Sequence, residues 1–424
     1  ARLRAAAQSV LRAAHGSPLR SLGLGRGRIA AGWDSVDALG SLVRQLDLAP
    51  TYARRAELVG ELSLSADSGA EPVDVARVDF PAVRPHLDLA PLLVDDDVRA
   101  GYVDPASLEF TDAEVDAEAP GSTPFAGKAC DRIPAQELGR FLERLDGCGM
   151  LFAARDDGTP RCGFFCVRKK WSEEHGDWVL RLVLDRRPRN SLERHVHPAE
   201  DTVPHGVCFL DVVLGPGEQL RIWATDLPVY YYSMQVTDAR AKTNVFTEPL
   251  PIREFGHLAA VQDLREREGV PGDREGNGLA VFCLRTMAMG DRNATVFGQA
   301  AHVQMLRNGG ALQPDCTLAY RRPWPRAPVA QGVMIDDQAT AAVVPLHARH
   351  GTAEARRLFG ATLAAYSAAG AHDVPEKRQE DVATAVVWGC EVQGRAGRVG
   401  VARAKRAAIA AVTLAIALTG CSAV

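Results

Sequence analysis

Two adjacent aspartates between two apolar runs constrain this chain more than any other feature of its sequence. The stretch VMIDDQATAAVVPL, residues 333–346, predicts a strand, a tight turn and a second strand, with Asp336 and Asp337 at the tip of the hairpin. Two carboxylates that lie so close repel each other unless a cation lies between them. Because Asp is also a common turn residue, an ordinary solvated turn is the alternative.

A third acid stands in a similar setting further upstream. Residues 222–236, IWATDLPVYYYSMQV, form a strand-like run that is interrupted by the single acid Asp226. Three aspartates on adjacent strands can hold two Mg²⁺ ions, which together can clamp the attacking and leaving oxygens of a phosphoryl transfer. We therefore predict a site for Mg²⁺ (or Mn²⁺) made of Asp226, Asp336 and Asp337.

The composition is that of an ordinary soluble globular chain. Of its 424 residues, 46% are hydrophobic and 24% are charged, and the formal net charge is −4. This balance gives no global attraction to nucleic acid or to a membrane surface, and we expect no membrane partner. The cysteines are mostly scattered singly, which favours free thiols in a reducing compartment, and hence an intracellular location in the cytoplasm or nucleus.

Two terminal segments invite alternative interpretations. Residues 1–33 carry six arginines and no acid, which resembles an organelle transit peptide, and a basic arm is an equally good interpretation. Residues 407–420 are apolar but are too few for a membrane span, so they predict a packed helix.

A zinc site at Cys162, Cys166, His195 and His197 is a further alternative, but this spacing does not fit the common zinc motifs.

The order of elements along the chain predicts the α+β class. Residues 1–60 show helical spacing of apolar residues, and residues 65–125 are rich in acids and proline, as in a connector. From about residue 126, short β-type runs alternate unevenly with helical ones, which argues against a regular βαβ series. The predicted strands are residues 151–154, 163–169, 178–184 and 207–214, and residues 354–370 predict a helix.

Two further segments carry features that chemistry could use. Residues 161–194 hold nine basic and five acidic residues, so a basic hairpin could meet a triphosphate or a nucleic-acid backbone, and a solvated charged hairpin is the alternative. In residues 287–306, Gly290 permits a backbone turn and apolar residues then repeat at helical spacing. That segment could be a helix whose small N-terminal residues let a base pair approach, or an ordinary junction of a loop and a helix.

Taken in order, these segments resemble the fingers and palm of a retroelement reverse transcriptase over residues 160–400. The family's K-K, W-R and D-x-R-x-x-N patterns are matched by Lys169, Lys170, Trp178, Arg181, Asp185, Arg187 and Asn190. Its D-L-x-D-x-Y, P-x-G-x-x-N-A and Y-x-D-D motifs are matched in part by Asp226, Leu227, Tyr231, Gly290, Asn293, Ala294, Asp336 and Asp337. After them come Phe297 and Gln299 of the third motif, then Gly370 and Lys377, and a predicted strand at 388–392 that resembles the primer-grip hairpin.

The resemblance implies a right-hand polymerase fold with fingers and palm and with a thumb that is truncated or only begun. It implies an N-terminal region of unassigned role (1–125), a fingers-like region (126–225), a palm (226–400) and the start of a thumb or connection (401–424). The implied reaction is template-directed DNA synthesis from dNTPs on an RNA or DNA template-primer. The sequence leaves the oligomeric state open.

The resemblance also implies a role for each matched residue. Asp226, Asp336 and Asp337 would hold the metal ions, and Lys377 would be the acid for the pyrophosphate leaving group. The implied nucleotide-binding residues are Lys169, Arg181, Tyr231, Gly290 and Gln299, with Tyr231 under the sugar. The rival interpretation is a decayed or domesticated remnant that binds nucleic acid without catalysis.

Overall fold

The computed structural model describes residues 70–111, 128–196, 202–268 and 278–401, except residues 83, 175 and 372, together with residue 406. The chain divides into two compact units. One comprises residues 71–167 and 180–400; the other comprises residues 1–70, 168–179 and 401–424, of which residues 168–179 form most of the described part. The segments predicted at residues 1–60 and 407–420 lie outside the described residues.

Short strands occur throughout the described chain. They are β1 (Leu87–Asp88), β2 (Leu151–Ala154), β3 (Gly163–Ser172), β4 (Asp177–Asp185), β5 (Glu218–Asp226), β6 (Met234–Gln235), β7 (Leu250–Pro251), β8 (Leu279–Leu284), β9 (Val329–Met334), β10 (Asp337–Pro345), β11 (Gln379–Val382), β12 (Thr384–Val387), β13 (Cys390–Gln393) and β14 (Arg398–Val401). The strands predicted at residues 151–154, 163–169 and 178–184 are thereby confirmed.

The α-helices lie between these strands without a regular alternation. They are α1 (Asp96–Val103), α2 (Leu138–Gly147), α3 (Arg187–Asn190), α4 (Tyr230–Ser233), α5 (Asp238–Lys242), α6 (Ala259–Glu268), α7 (Ala294–Asn308) and α8 (Ala353–Ala368). Helices and largely antiparallel sheets are thus mixed, as the α+β class requires.

The sheet that carries the three aspartates has the strand order β11-β5-β10-β9. Strand β10 pairs antiparallel with β5 on one side and with β9 on the other. It is almost wholly buried, as expected for a central strand. Smaller sheets have the orders β2-β8-β7, β12-β13-β14, β3-β4 and β1-β6.

Helices α7 and α8 pack against each other beside this sheet. Helix α8 begins where the Thr352 hydroxyl accepts a hydrogen bond from the Ala355 N–H, and Gly370 follows its end with a φ of +73°. Helix α7 is buried on most of its surface, because Val296, Phe297 and Leu306 enter the main hydrophobic core. The helix predicted from residue 354 and the loop-to-helix junction at Gly290 are therefore both present.

The strand predicted at residues 207–214 is wrong. Residues Gly206–Asp211 form a 3₁₀-helix, which buries Cys208 and Phe209 while Leu210 and Val213 remain exposed. Every residue of the run except Asp211 is apolar, so its sequence did not reveal that only one side of it meets the core.

The strand predicted at residues 388–392 is also corrected. Trp388 and Gly389 are the turn of the hairpin between β12 and β13, with φ values of +47° and +77°. A two-residue hairpin turn of this kind needs positive φ at both central residues. Only residues Cys390–Gln393 continue as a strand.

The same turn packs its indole against strand β9. A Cβ atom added at Gly332 would overlap the Trp388 ring, so the absence of a side chain at Gly332 makes the slot that the indole fills. Trp388 is 6% exposed there. This contact fixes the β12–β13 hairpin on the strand that leads to Asp336.

A cluster of ion pairs lies buried near the start of α7. Arg186 donates to both carboxylate oxygens of Glu193 at 2.9 Å, and Arg240 donates to Asp291 at 3.1 Å. All four side chains are at most 1% exposed. Arg189 also donates to Glu193, and Arg186 donates further to Asn244 and Thr243. Each buried charge therefore has a charged partner as well as hydrogen bonds.

Candidate active site

The hairpin between β9 and β10 places the three predicted aspartates at one end of the central sheet. Asp337 is the first residue of β10 and lies directly opposite Asp226, the last residue of β5. Directly opposed residues of antiparallel strands share one face of the sheet. Asp336 occupies the two-residue turn with Ile335, and its carbonyl oxygen accepts a hydrogen bond from the Leu227 N–H at 3.0 Å.

Strand β5 ends at Asp226 for local reasons. Pro228 follows two residues later, and Val229 has a φ of +48°, which a β-branched residue rarely adopts. The chain then forms the short helix α4 instead of the continued strand that residues 222–236 predicted. Asp226 therefore stands at the end of the strand and not in its middle.

Lys377 reaches this group from the other side. Its ammonium nitrogen lies 2.8 Å from a carboxylate oxygen of Asp226, and 60% of the Lys377 side chain is exposed. Asp226, Asp337 and Lys377 line a cavity of about 220 Å³, which is closed elsewhere by Gln338, Gln379 and Trp388. The predicted acid and two of the predicted metal ligands are thus brought together.

The carboxylates carry negative charge that their neighbours do not fully balance. Burial and the charges of Asp336 and Asp226 raise the pKa of Asp337 to about 7, although Lys377 opposes the shift. Burial and the charge of Asp226 also raise the pKa of Asp336, against the opposing charges of Arg181 and Lys377. Partly buried carboxylates with mutually raised pKa values are typical of functional sites.

The donor atoms suit a hard divalent cation. Carboxylate oxygens are the ligands that Mg²⁺ and Mn²⁺ prefer, and a cation would relieve the repulsion that raises the pKa of Asp337. Across the described residues, however, no group of three or more acidic, His or Cys side chains is arranged to hold a metal ion. Lys377 instead supplies a positive charge at Asp226.

Two of the predicted nucleotide-binding residues lie near the carboxylates. Arg181 is exposed on β4, and its charge acts on the carboxyl group of Asp336. Tyr231 lies in α4 and is half-buried. Burial raises the pKa of its phenol, and the charge of Asp336 contributes to the rise. A Cβ atom added at Gly298 would lie 3.4 Å from the Tyr231 ring, so helix α7 packs closely against this side chain.

The other two predicted residues in this unit hold the structure together. Gly290 has a φ of +134°, and a Cβ atom there would overlap the Leu184 carbonyl oxygen, so glycine is needed for the close approach to β4. Gln299 is fully buried and donates to the Val333 carbonyl at 2.8 Å. Its amide oxygen accepts from the Ile335 N–H at 2.7 Å, so the amide holds the aspartate-bearing turn.

Lys169 lies in the stretch 168–179, which belongs to the other compact unit. Within that stretch the rings of Trp171 and Trp178 meet edge to face, with centroids 5.7 Å apart, and Arg168 lies over the Trp178 ring. Lys169 and Lys170 are exposed. The tip of the hairpin is therefore a cationic and aromatic surface.

Several arginines in the rest of residues 161–194 are paired with acids, so this segment presents less positive charge than its composition suggests. Arg186 and Arg189 are buried against Glu193, and Arg187 is paired with Asp185 at 2.6 Å. The Asn190 side chain donates to the Gly290 carbonyl at 2.7 Å. Of the matched residues, Asn190 thus stabilises the junction with the start of α7, whereas Asp185 binds Arg187 and the Cys130 N–H.

The zinc alternative finds no support in the described residues. Cys162 and Cys166 are both buried, and no group of three or more His, Cys or acidic side chains in that part of the chain is placed to hold a metal ion. The eight cysteines in the described part of the chain are all free, in keeping with the expectation of reduced thiols. His197 lies outside the described residues.

Several residues near the aspartates carried no sequence signal of their own. Thr225, beside Asp226, donates to Asp373 at 2.8 Å, and Arg378 holds the same carboxylate. His302 and Tyr366 lie behind the turn, and they look like ordinary helix residues in the sequence. Only their position in the folded chain connects them with the site.

Comparison with known proteins gives weak structural likenesses that assign neither a fold nor a family. No protein-family model matches the chain, and no curated protein matches it. A solved structure of a foamy viral protease-reverse transcriptase in complex with double-stranded DNA is 13% identical, with a TM-score of 0.39, and the match covers 74% of this chain and 47% of that one.

The same viral protein in complex with an RNA/DNA hybrid gives 13% identity and a TM-score of 0.38, over 63% of this chain and 27% of that one. The chain thus spans about half, or less, of the structures that it matches. At these values the likeness assigns no family. Within the described residues, no helix combines the length and the apolar character needed to cross a membrane.

Proposed function

We propose that this chain is a template-directed nucleotidyl transferase that extends a primer with dNTPs, in the manner of a reverse transcriptase. The observation that carries the proposal is the pairing of Asp226 with Asp337 across β5 and β10, with Asp336 in the adjoining turn. Three partly buried carboxylates at the end of a sheet, two of them (Asp336 and Asp337) with raised pKa values, are what a two-metal transfer needs on the protein side.

In this proposal Asp226 and Asp336 bind both metal ions, and Asp337 supports them. Bound Mg²⁺ would stabilise the charge that develops on the attacking and leaving oxygens. The residues around the carboxylates would align the primer 3′-hydroxyl with the α-phosphate and exclude water from the reacting atoms. Lys377, whose ammonium already lies among these carboxylates, would give a proton to the departing pyrophosphate.

The cationic residues would bind the nucleotide. Arg181, whose charge acts on the carboxyl group of Asp336, would neutralise the triphosphate; Lys169, which is exposed in the other compact unit, stays a predicted nucleotide-binding residue. The template-primer would be held by its phosphates, so its binding would weaken as salt increases. Tyr231 would lie under the deoxyribose and exclude a 2′-hydroxyl.

A second candidate function is nucleic-acid binding without catalysis. The observation that favours it is the ion pair of Lys377 with Asp226, which neutralises one predicted metal ligand while no described group of side chains is arranged as a metal cluster. A remnant of this kind would keep the cationic hairpin and lose the metal-dependent step.

Primer extension by the 424-residue chain separates the two functions. With Mg²⁺ or Mn²⁺, a labelled primer on an RNA template should be extended, and Asp336→Asn should reduce the rate by at least about 10³-fold, because one metal ligand loses its charge. Primer-template binding, measured in parallel at two salt concentrations, should stay the same or tighten slightly. Asp315→Asn, far from the turn in sequence, is the matched control.

Binding without extension by the wild-type chain under every divalent metal would favour the non-catalytic function. If the chain neither binds nor extends a primer-template, both functions are wrong.

Nucleotide selection tests the role of Tyr231. Tyr231→Ala should raise ribonucleotide incorporation relative to deoxynucleotide incorporation by about 10-fold or more, because the ring would no longer fill the space at the 2′ position. Tyr320→Ala, which removes an exposed tyrosine elsewhere, should leave the ratio unchanged. An unchanged ratio in Tyr231→Ala would assign the selection to another residue.

A further inference from the structure

The turn that carries Asp336 is strained. Ile335 has a φ of +59°, whereas Asp336 is not among the residues with positive φ. This is the pattern of a type II′ hairpin turn, whose first central position usually holds glycine. A β-branched residue in that conformation is strained, so surrounding contacts must hold it in place.

Two side chains of α7 hold Ile335 by its backbone. Gln299 accepts a hydrogen bond from the Ile335 N–H at 2.7 Å, and His302 bonds the Ile335 carbonyl through Nδ1, also at 2.7 Å. Residues three apart on a helix lie on one face, so both side chains reach the same turn. Gln299 and His302 are fully buried, which excludes water from these bonds.

The chemistry of the partners fixes the tautomer of His302. A carbonyl oxygen only accepts, so Nδ1 must carry the proton that is donated to Ile335. Nε2 is then the acceptor, and the hydroxyl of Tyr366 on α8, 2.8 Å away, donates to it. Burial lowers the pKa of His302 to about 4, in agreement with a neutral ring.

These bonds act on the peptide group that precedes Asp336. The carbonyl that His302 holds belongs to the peptide joining Ile335 to Asp336, and the next carbonyl, that of Asp336 itself, accepts from the Leu227 N–H. Leu227 directly follows Asp226. The backbone on both sides of the Asp336 side chain is therefore anchored, once by α7 and once by the chain that carries Asp226.

We infer that His302, oriented by Tyr366, is a positioning residue that sets the direction in which the Asp336 carboxylate leaves the strained turn. The inference rests on the proposed function, since it concerns the aim of a predicted metal ligand. Loss of the bond to Ile335 frees the peptide to rotate, and a displacement of about 1 Å at a reacting group can cost about 10²-fold in rate.

The alternative is that His302 only fills the core and satisfies buried polar groups. Two substitutions separate these roles, because the polar atoms of Asn and Gln overlay different ring nitrogens. His302→Asn retains a donor near the place of Nδ1 and can still bond the Ile335 carbonyl. His302→Gln retains a polar atom near the place of Nε2, so it can meet Tyr366 but not Ile335.

The experiment compares these variants in the 424-residue chain by two readouts. The first is Mn²⁺ binding without substrate, followed by electron paramagnetic resonance of the free ion; the second is primer extension, analysed as kcat and KM. We expect His302→Asn to stay within about 5-fold of the wild type in both. His302→Gln should weaken Mn²⁺ binding about 10-fold and lower kcat about 10- to 100-fold, with the KM for dNTP within about 3-fold.

Two further variants complete the set. Tyr366→Phe should give an intermediate loss of kcat, since His302 keeps its bond to Ile335 but loses its own orienting partner. Met305→Ala removes a buried side chain from the same helix and controls for loss of stability, which thermal unfolding measures for every variant. It should lower stability without changing Mn²⁺ binding.

The inference is overturned if the Asn and Gln variants bind Mn²⁺ equally well, or if their losses follow stability as Met305→Ala does. Wild-type chain that binds no Mn²⁺ also overturns it. If the wild type binds Mn²⁺ but extends no primer, and the Gln variant still binds the ion more weakly than the Asn variant, the proposed function fails and the positioning role of His302 stands.

Discussion

In the described part of the chain, the charged side chains at the start of α7 and those at the β9–β10 turn are both buried or partly buried, but they are balanced in opposite ways. Around the start of α7, Arg186, Glu193, Arg240 and Asp291 are fully buried, and each faces an opposite charge. The charges of the two arginines hold the pKa of Asp291 below its ordinary value despite burial. At the β9–β10 turn, burial and neighbouring acids raise the pKa of Asp337 to about 7.

The difference distinguishes a cluster that stabilises the fold from one that suits the proposed cation site. A buried cluster whose charges cancel stabilises one arrangement of the chain and needs no further partner. A group of carboxylates whose mutual repulsion is not cancelled by neighbouring positive charges lowers the stability of the fold unless a cation binds there. The imbalance at the turn is therefore a better indicator of chemistry than the presence of charge itself.

The largest expected effect comes from unbalancing the buried cluster. Glu193→Gln removes the fully buried carboxylate that Arg186 and Arg189 share. Arg186 keeps only the 3.4 Å pair with Asp291, and Arg189 keeps only the partly exposed Glu109, so the free energy of unfolding should fall by about 3–5 kcal/mol. Urea unfolding measures the change. Asp96→Asn, which breaks an exposed pair with Arg99, should cost less than about 0.5 kcal/mol. Equal losses in the two variants would contradict the contrast between buried and exposed pairs.

The second effect has the opposite sign and is expected at the turn. In EDTA at pH 8, Asp337→Asn should stabilise the chain by about 1–3 kcal/mol, because it removes the negative charge of a carboxyl group whose pKa rises from 3.8 to about 7 on folding. The folded chain binds the extra proton, so the contribution of Asp337 to stability is fully present below pH 3.8 and is lost as pH rises through 7. The gain from the substitution should therefore shrink between pH 8 and pH 5.

Thermal unfolding across this pH range tests the prediction, with and without Mg²⁺. If a cation binds the carboxylates, Mg²⁺ should raise the Tm of the wild type more than that of Asp337→Asn. A gain that is the same at pH 5 and pH 8 would show that repulsion at the turn is not its origin.

The smallest effect concerns Lys377. Lys377→Met removes the positive charge that opposes the rise in the pKa of Asp337, but the lysine is largely exposed and its ion pair is screened by water. We expect the free energy of unfolding to change by less than about 1 kcal/mol, while the pKa of Asp337, followed by carboxyl-carbon NMR, rises further. A fall in that pKa would remove Lys377 from the electrostatics of the site.

The sequence predicted the hairpin and its acids because both depend on local patterns. Apolar runs on either side of Asp336 and Asp337 specify two strands, and a two-residue connection leaves them few ways to pair. The helix at residues 353–368 was predictable for the same reason, since its cap and its terminal glycine are neighbours in sequence.

What the sequence did not show depends on contacts between distant residues. Arg186 and Arg189 were counted as part of a basic face, although in the fold they are buried against Glu193. His302 gave no signal because its partners, Ile335 and Tyr366, are 33 and 64 residues away. The strain at Ile335 was likewise hidden, since nothing in its neighbours requires a positive φ.

The slot at Gly332 has a consequence for how this chain can change over generations. Any larger residue at position 332 collides with the indole of Trp388, whereas a smaller residue at position 388 leaves a cavity against Gly332. A change of side-chain size at one position therefore needs a compensating change at the other, and either substitution alone gives a less stable chain. Relatives of this protein should keep the pair as glycine and tryptophan or should have altered both.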